Sequence, residues 1–111
     1  MKVLISMNKN TLIAKLIGEL DHHTSEKARE KLDENIINKS AKNLIFDFED
    51  LTFMDSSGIG MIIGRYKLIS ALGGKVIIVC GNKQIERIIT MSGLKKIINV
   101  FNSFDDAIEN V

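Results

Sequence analysis

Proline and tryptophan are absent from this 111-residue chain, and its one cysteine is Cys80. A lone cysteine cannot close an internal disulfide. No Pro-rich or Gly/Ser-rich linker, repeat or low-complexity stretch divides the chain, so a second domain is not expected. No run approaches the roughly 18 apolar residues of a membrane span. The opening Met1-Lys2-Val3-Leu4-Ile5 passes at once into polar residues, without the apolar region of a signal peptide. A reducing cytoplasm is the expected location, with no membrane partner. Charge of one sign is missing too: 15 Lys and Arg against 14 Asp and Glu leave a formal +1. No basic block exceeds Lys95-Lys96, so the electrostatic footprint of a nucleic-acid binder is lacking.

What the chain does have is apolar substance. Hydrophobic residues make up 45% of it, enough for one real core in a chain of one-domain length. A single domain spanning 1–111 is expected. Val3 to Met7 and Leu12 to Ile17 read as short strands joined by the polar Asn8-Lys9-Asn10, an antiparallel hairpin. From Thr24 the period changes. Ala28, Leu32 and Ile36 recur every fourth residue, with Thr24 or Ser25 placed to cap a first helix.

Leu44 to Phe48 reads as a strand, and Val76-Ile77-Ile78-Val79-Cys80 is continuously apolar, as a strand covered on both faces should be. Between them Ile59, Ile62, Ile63, Tyr66 and Ile69 fall at helical spacing, and Gly73-Gly74 supplies the stop. Ile85, Ile88 and Ile89 mark a third helix ending at Gly93. Ile97 to Val100 reads as a last strand, and Ser103 with Asp106 caps a short terminal helix. The expected order is ββαβαβαβα, an α/β fold with a mixed, mostly parallel sheet opened by a hairpin and flanked by helices. In such folds the loops at the carboxyl ends of parallel strands are the usual place of function.

The loop after Phe48 runs Glu49-Asp50-Leu51-Thr52-Phe53-Met54-Asp55-Ser56-Ser57-Gly58 and delivers an Asp and two Ser to a helix start. The plainer reading is that Asp55, Ser56 or Ser57 caps that helix. A functional reading is compatible with it. The free amides and positive end of a helix tolerate a phosphate. A phosphoserine beside Asp55 would concentrate about −1.5 to −2 charges on a nearly neutral protein. The residues alone leave Ser56 and Ser57 equivalent as acceptors.

Other chemistries fit less well. A nucleophile elbow needs glycine where Met54 or Asp55 stands, and neither His22 nor His23 is shown by the sequence to reach a serine. Gly58, Gly60 and Gly64 imitate a dinucleotide fingerprint, but Cys80-Gly81-Asn82 stands where the ribose-binding acid should. Close packing of that helix is the simpler account of its glycines. A small nucleotide-binding or hydrolytic domain therefore remains only a minor alternative. His22-His23, read at a strand end, would point to opposite faces and lack further ligands, so no metal is expected; Glu19 to Thr24 reads instead as the loop that starts the first helix, with Asp21 either capping it or offering a carboxylate to a partner. A phosphoaspartate receiver should carry its acidic pair where Asn8-Lys9-Asn10 stands.

The segments Gly18-Glu19-Leu20-Asp21-His22-His23-Thr24, Leu51 to Gly60, Gly64-Arg65-Tyr66-Lys67 and Met91-Ser92-Gly93-Leu94 together resemble the STAS-domain anti-sigma factor antagonists, in order and over essentially the whole chain. The resemblance implies the STAS fold and a regulatory protein that is not an enzyme. Such a protein binds an anti-sigma factor, itself a serine kinase, when unmodified and so frees a sporulation sigma factor; a general stress-response antagonist is the alternative. It implies Ser56 as phosphoacceptor, with Asp21, His23, Thr24, Asp55, Ser57 and Gly58 at the partner surface. A metal-dependent serine phosphatase would restore the active form, ATP would belong to the kinase, and the free protein would be a monomer without a cofactor of its own.

Overall fold

The computed structural model describes residues 1–111. Strands β1 (Lys2–Asn8) and β2 (Thr11–Leu20) form the antiparallel hairpin, in register from Lys2 opposite Ile17 to Asn8 opposite Thr11. β2 continues beyond Ile17 because its end finds a partner of its own. Thr11 to Lys15 pair in parallel with β3 (Asn43–Asp47), whereas Gly18 to Leu20 pair in parallel with β4 (Leu51–Met54). The register shifts between Gly18 and Glu19. β2 therefore forks, one stretch in the main sheet and one leaning on β4.

β4 corrects the expected order. The stretch read as one loop after Phe48 contains a strand, and the chain runs ββαββαβαβα. Its burial is buried, exposed, exposed, buried, so the alternation that betrays a half-buried strand is absent. For α1 (His22–Asn38) the structure decides between the caps open to the sequence: Asp21 caps the helix, and Thr24 and Ser25 do not stand at the N-cap. His22 and His23 thus sit in the first helical turn, not at a strand end. α2 (Ser56–Ala71) ends before the two glycines as expected. Gly74 cannot be otherwise: a Cβ there would lie 1.6 Å from the Lys42 carbonyl oxygen.

β5 (Val76–Val79), α3 (Lys83–Ser92), β6 (Asn99–Phe101) and α4 (Phe104–Glu109) complete the chain. Gly93 ends α3 and Ser103 caps α4 by accepting from the Asp106 amide, both as read from the residues. β6 starts later than Ile97 because Leu94–Lys96 forms a 3-10 turn, and the amides of Ile97 and Ile98 donate to the Leu94 carbonyl instead of to the sheet.

The main sheet has the order β1-β2-β3-β5-β6, parallel after the opening hairpin. Its faces separate by residue parity, as strand geometry requires. Leu44, Phe46, Val76, Ile78 and Cys80 join the large core with Ala28, Leu32 and Ile36 of α1, Ile62 and Ile69 of α2, and Ile85 and Ile89 of α3. Ile45, Ile77 and Val79 face the other way, against Ala107 of α4. The apolar β5 is indeed covered on both faces. Each fully buried Leu, Ile, Val or Phe side chain among these contributes roughly 1.5–3 kcal/mol.

Candidate functional site

The fork of β2 sets two helix starts side by side. At one, the Asp21 carboxylate accepts from the amides of His23 (2.9 Å) and Thr24 (3.0 Å), while the Thr24 hydroxyl accepts from the Asp21 amide (2.9 Å) and donates to the Glu19 carbonyl (2.7 Å). This reciprocal capping box satisfies donors that the helix itself cannot. The donors, first that of Thr24, hold the Asp21 pKa below its ordinary value. At the other start, Asp55 accepts from Ser57 N (2.9 Å) and Gly58 N (3.3 Å). Asp55 N donates to the Leu20 carbonyl at 3.3 Å, tying the second start to the end of β2.

With Asp55 as the cap, neither serine is needed for that task. Ser56 is the first residue of α2 and is exposed, with its hydroxyl free of any intramolecular hydrogen bond. Ser57 is half-buried and turns toward α1, where its Oγ lies 3.4 Å from His22 Nδ1. A histidine does, then, reach a serine of this loop, a juxtaposition that the strand-end reading of His22 concealed. The imidazole makes no hydrogen bond to a carboxylate, so the third member that orients a catalytic base is missing. Gly58 is required by space: a Cβ there would approach Met54 Cγ to 2.7 Å and Leu20 Cγ to 3.0 Å.

Of the residues singled out by sequence, Asp21, Thr24, Asp55, Ser56, Ser57 and Gly58 converge on this end of the molecule. His23 is exposed there too, edge-on to His22 with ring centroids 5.8 Å apart. Between α1 and α2 opens a groove of about 500 Å³, lined by His22, Ser25, Arg29, Ser57, Gly60 and Arg65 among others. Sequence reading missed this groove, although residues 22, 25, 26 and 29 share a helical face once α1 begins at His22. Arg65, 8% exposed, bridges the helices through Nε to Asp33 Oδ1 at 2.8 Å. Burial lowers its pKa, and the Asp33 charge opposes that shift. Ser25, 6% exposed, has a hydroxyl without a partner.

The glycines of α2 need separate accounts. Close packing explains Gly58. It does not explain Gly60 or Gly64, since a Cβ at either would meet nothing within 4 Å. These two leave the groove floor open.

A STAS-domain model matches residues 2–107, and the chain belongs to the STAS-domain family. An anti-sigma F factor antagonist of Paenibacillus polymyxa is 39% identical over 103 residues, 93% of this chain and 88% of that protein. The structure of the anti-sigma factor antagonist SpoIIAA in its unphosphorylated form superposes with a TM-score of 0.84 at 31% identity, covering 98% of this chain and 95% of that one. The phosphorylated form of Bacillus SpoIIAA gives a TM-score of 0.76 at 31% identity, covering 98% of each chain. Within the STAS family this chain is one of the anti-sigma factor antagonists.

Proposed function

We propose that the unmodified chain binds an anti-sigma factor that is also a serine kinase and thereby frees a sporulation sigma factor, and that phosphorylation of Ser56 ends the association. The observation that carries this reading is the exposed, unbonded Ser56 hydroxyl at the first position of α2, beside a cap already supplied by Asp55. The existence of SpoIIAA in phosphorylated and unphosphorylated forms supports it. The sigma F designation of the P. polymyxa relative favours the sporulation form of the reading over a general stress-response one.

The physical scheme is local. A phosphate on Ser56 meets the free amides and positive end of α2, so the domain tolerates it. Its added charge of about −1.5 to −2 stands next to Asp55, on the surface a partner must touch. Each 1.4 kcal/mol lost at that contact lowers affinity about tenfold. Asp21, His23, Thr24, Asp55, Ser57 and Gly58 frame this surface, Thr24 chiefly by holding the cap. The chain catalyses nothing itself; ATP belongs to the kinase, and a metal-dependent serine phosphatase in the same cytoplasm restores the unmodified form.

The test is incubation with the anti-sigma factor and ATP, followed by mapping of the phosphate by mass spectrometry and titration of the complex. Phosphate should appear on Ser56. Ser56→Ala should bind and stay unmodified, whereas Ser56→Asp should fold normally and bind at least tenfold more weakly. Phosphate confined to Ser57, or full affinity in Ser56→Asp, would overturn the reading.

A further inference from the structure

Two serines stand next to each other at the start of α2, and they are placed differently. Ser56 is exposed with an unbonded hydroxyl, while Ser57 is half-buried with its Oγ 3.4 Å from His22 Nδ1. We propose that His22 is a specificity-determining residue, which withdraws the Ser57 hydroxyl from an incoming kinase by holding it against α1 and so leaves Ser56 as the only acceptor offered. The proposal rests on the reading of this loop as a phosphoacceptor.

Phosphoryl transfer sets the geometric requirement. The serine oxygen must approach the γ-phosphorus of a nucleoside triphosphate in line with the bridging oxygen that leaves. The new bond joins serine oxygen to phosphorus, the bond from phosphorus to the bridging oxygen breaks, the hydroxyl proton passes to a base of the kinase, and the nucleoside diphosphate departs. A hydroxyl that rotates freely on the surface can meet that line. One directed at the first turn of α1 must first give up its contact with the imidazole and turn outward.

Helical geometry makes the separation possible, because successive residues of α2 point about 100° apart. The Ser57 side continues through Gly60, Met61, Gly64 and Arg65 into the groove facing His22, Ser25, Glu26 and Arg29. Ser56 is not among the residues that line it. The Asp55 carboxylate takes the amides of Ser57 and Gly58, which fixes the backbone from which the two hydroxyls diverge. His22 itself is exposed and belongs to no core cluster, so it can be replaced without removing packing from the fold.

A Ser–His contact has an opposite possible meaning, in which the imidazole activates Ser57, and the experiment separates the two. The chain is prepared as wild type, Ser56→Ala, Ser56→Ala/His22→Ala and Ser56→Ala/His22→Asn. Each is incubated with the anti-sigma factor kinase and ATP, and phosphate on Ser57 is quantified by mass spectrometry. Circular dichroism and a binding titration confirm fold and complex. Ser57 phosphate should be very low in Ser56→Ala, rise about two- to tenfold when His22→Ala is added, as loss of one hydrogen bond allows, and fall back with His22→Asn, which keeps a polar partner. No rise, or a fall, in the His22→Ala double variant overturns the role given to His22 while leaving Ser56 in place. Phosphate on Ser57 in the wild type, with none on Ser56, overturns instead the phosphoacceptor assignment on which the proposal rests.

Discussion

At the scale of single residues, the site is a study in what each small side chain is needed for. Gly58 and Gly60 are two positions apart in one helix, yet they answer to opposite constraints. A methyl at Gly58 must displace Met54 and Leu20, a strain of the kind that costs about 1–3 kcal/mol. A methyl at Gly60 meets nothing and removes the entropic cost of glycine within a helix, about 0.5–1 kcal/mol. Denaturant unfolding should therefore show Gly58→Ala destabilised and Gly60→Ala stabilised; destabilisation of both would contradict the open groove floor. The two adjacent serines divide in the same way, one facing α1 and the other solvent. The residues alone left them equivalent, because a difference of about 100° in direction is invisible until the helix start is fixed.

At the scale of elements, α1 and α2 are held together by a charge pair as well as by apolar side chains. Arg65 is nearly buried and Asp33 is its bridging carboxylate, while Arg29 also reaches Asp33 at 3.7 Å. Removing Asp33 leaves a desolvated guanidinium without compensation, for which about 1–3 kcal/mol is the expected loss. Asp33→Asn should lower the unfolding midpoint, and Asp33→Asn/Arg65→Met should recover most of it; equal midpoints for Asp33→Asn and wild type would refute the bridge. The same elements explain what could be read beforehand. The hairpin, β5 and the end of α3 were legible because alternation, a continuous β-branched run and a glycine stop are local signals. β4 was not, since four residues without alternation become a strand only where the end of β2 lies ready for them. The start of α1 is ambiguous in the sequence because Asp21, Thr24 and Ser25 are all good caps in isolation. Asp21 prevails by taking two amides at once and enlisting Thr24 for the reciprocal bond.

For the molecule as a whole, the fork in β2 is the decisive feature, because its second arm pairs in parallel with β4, and the ends of those two strands, Leu20 and Met54, deliver the starts of α1 and α2 side by side. The stability of that end can be probed by pH. The folded pKa of Asp21 is depressed, so its contribution is complete above the unfolded value of 3.8 and is lost as pH falls through that value toward the lower folded one. The difference in thermal midpoint between wild type and Asp21→Ala should be constant near neutrality and shrink below about pH 3.8; a gap that widens in acid would reverse the sign and refute the cap. The groove floor has a different bearing. Gly60 and Gly64 forgo helix stability where there is room for a side chain, so the depth of the cleft is not dictated by the core beneath it. Either position can therefore take a side chain and make the cleft shallower with no rearrangement of the architecture that carries it.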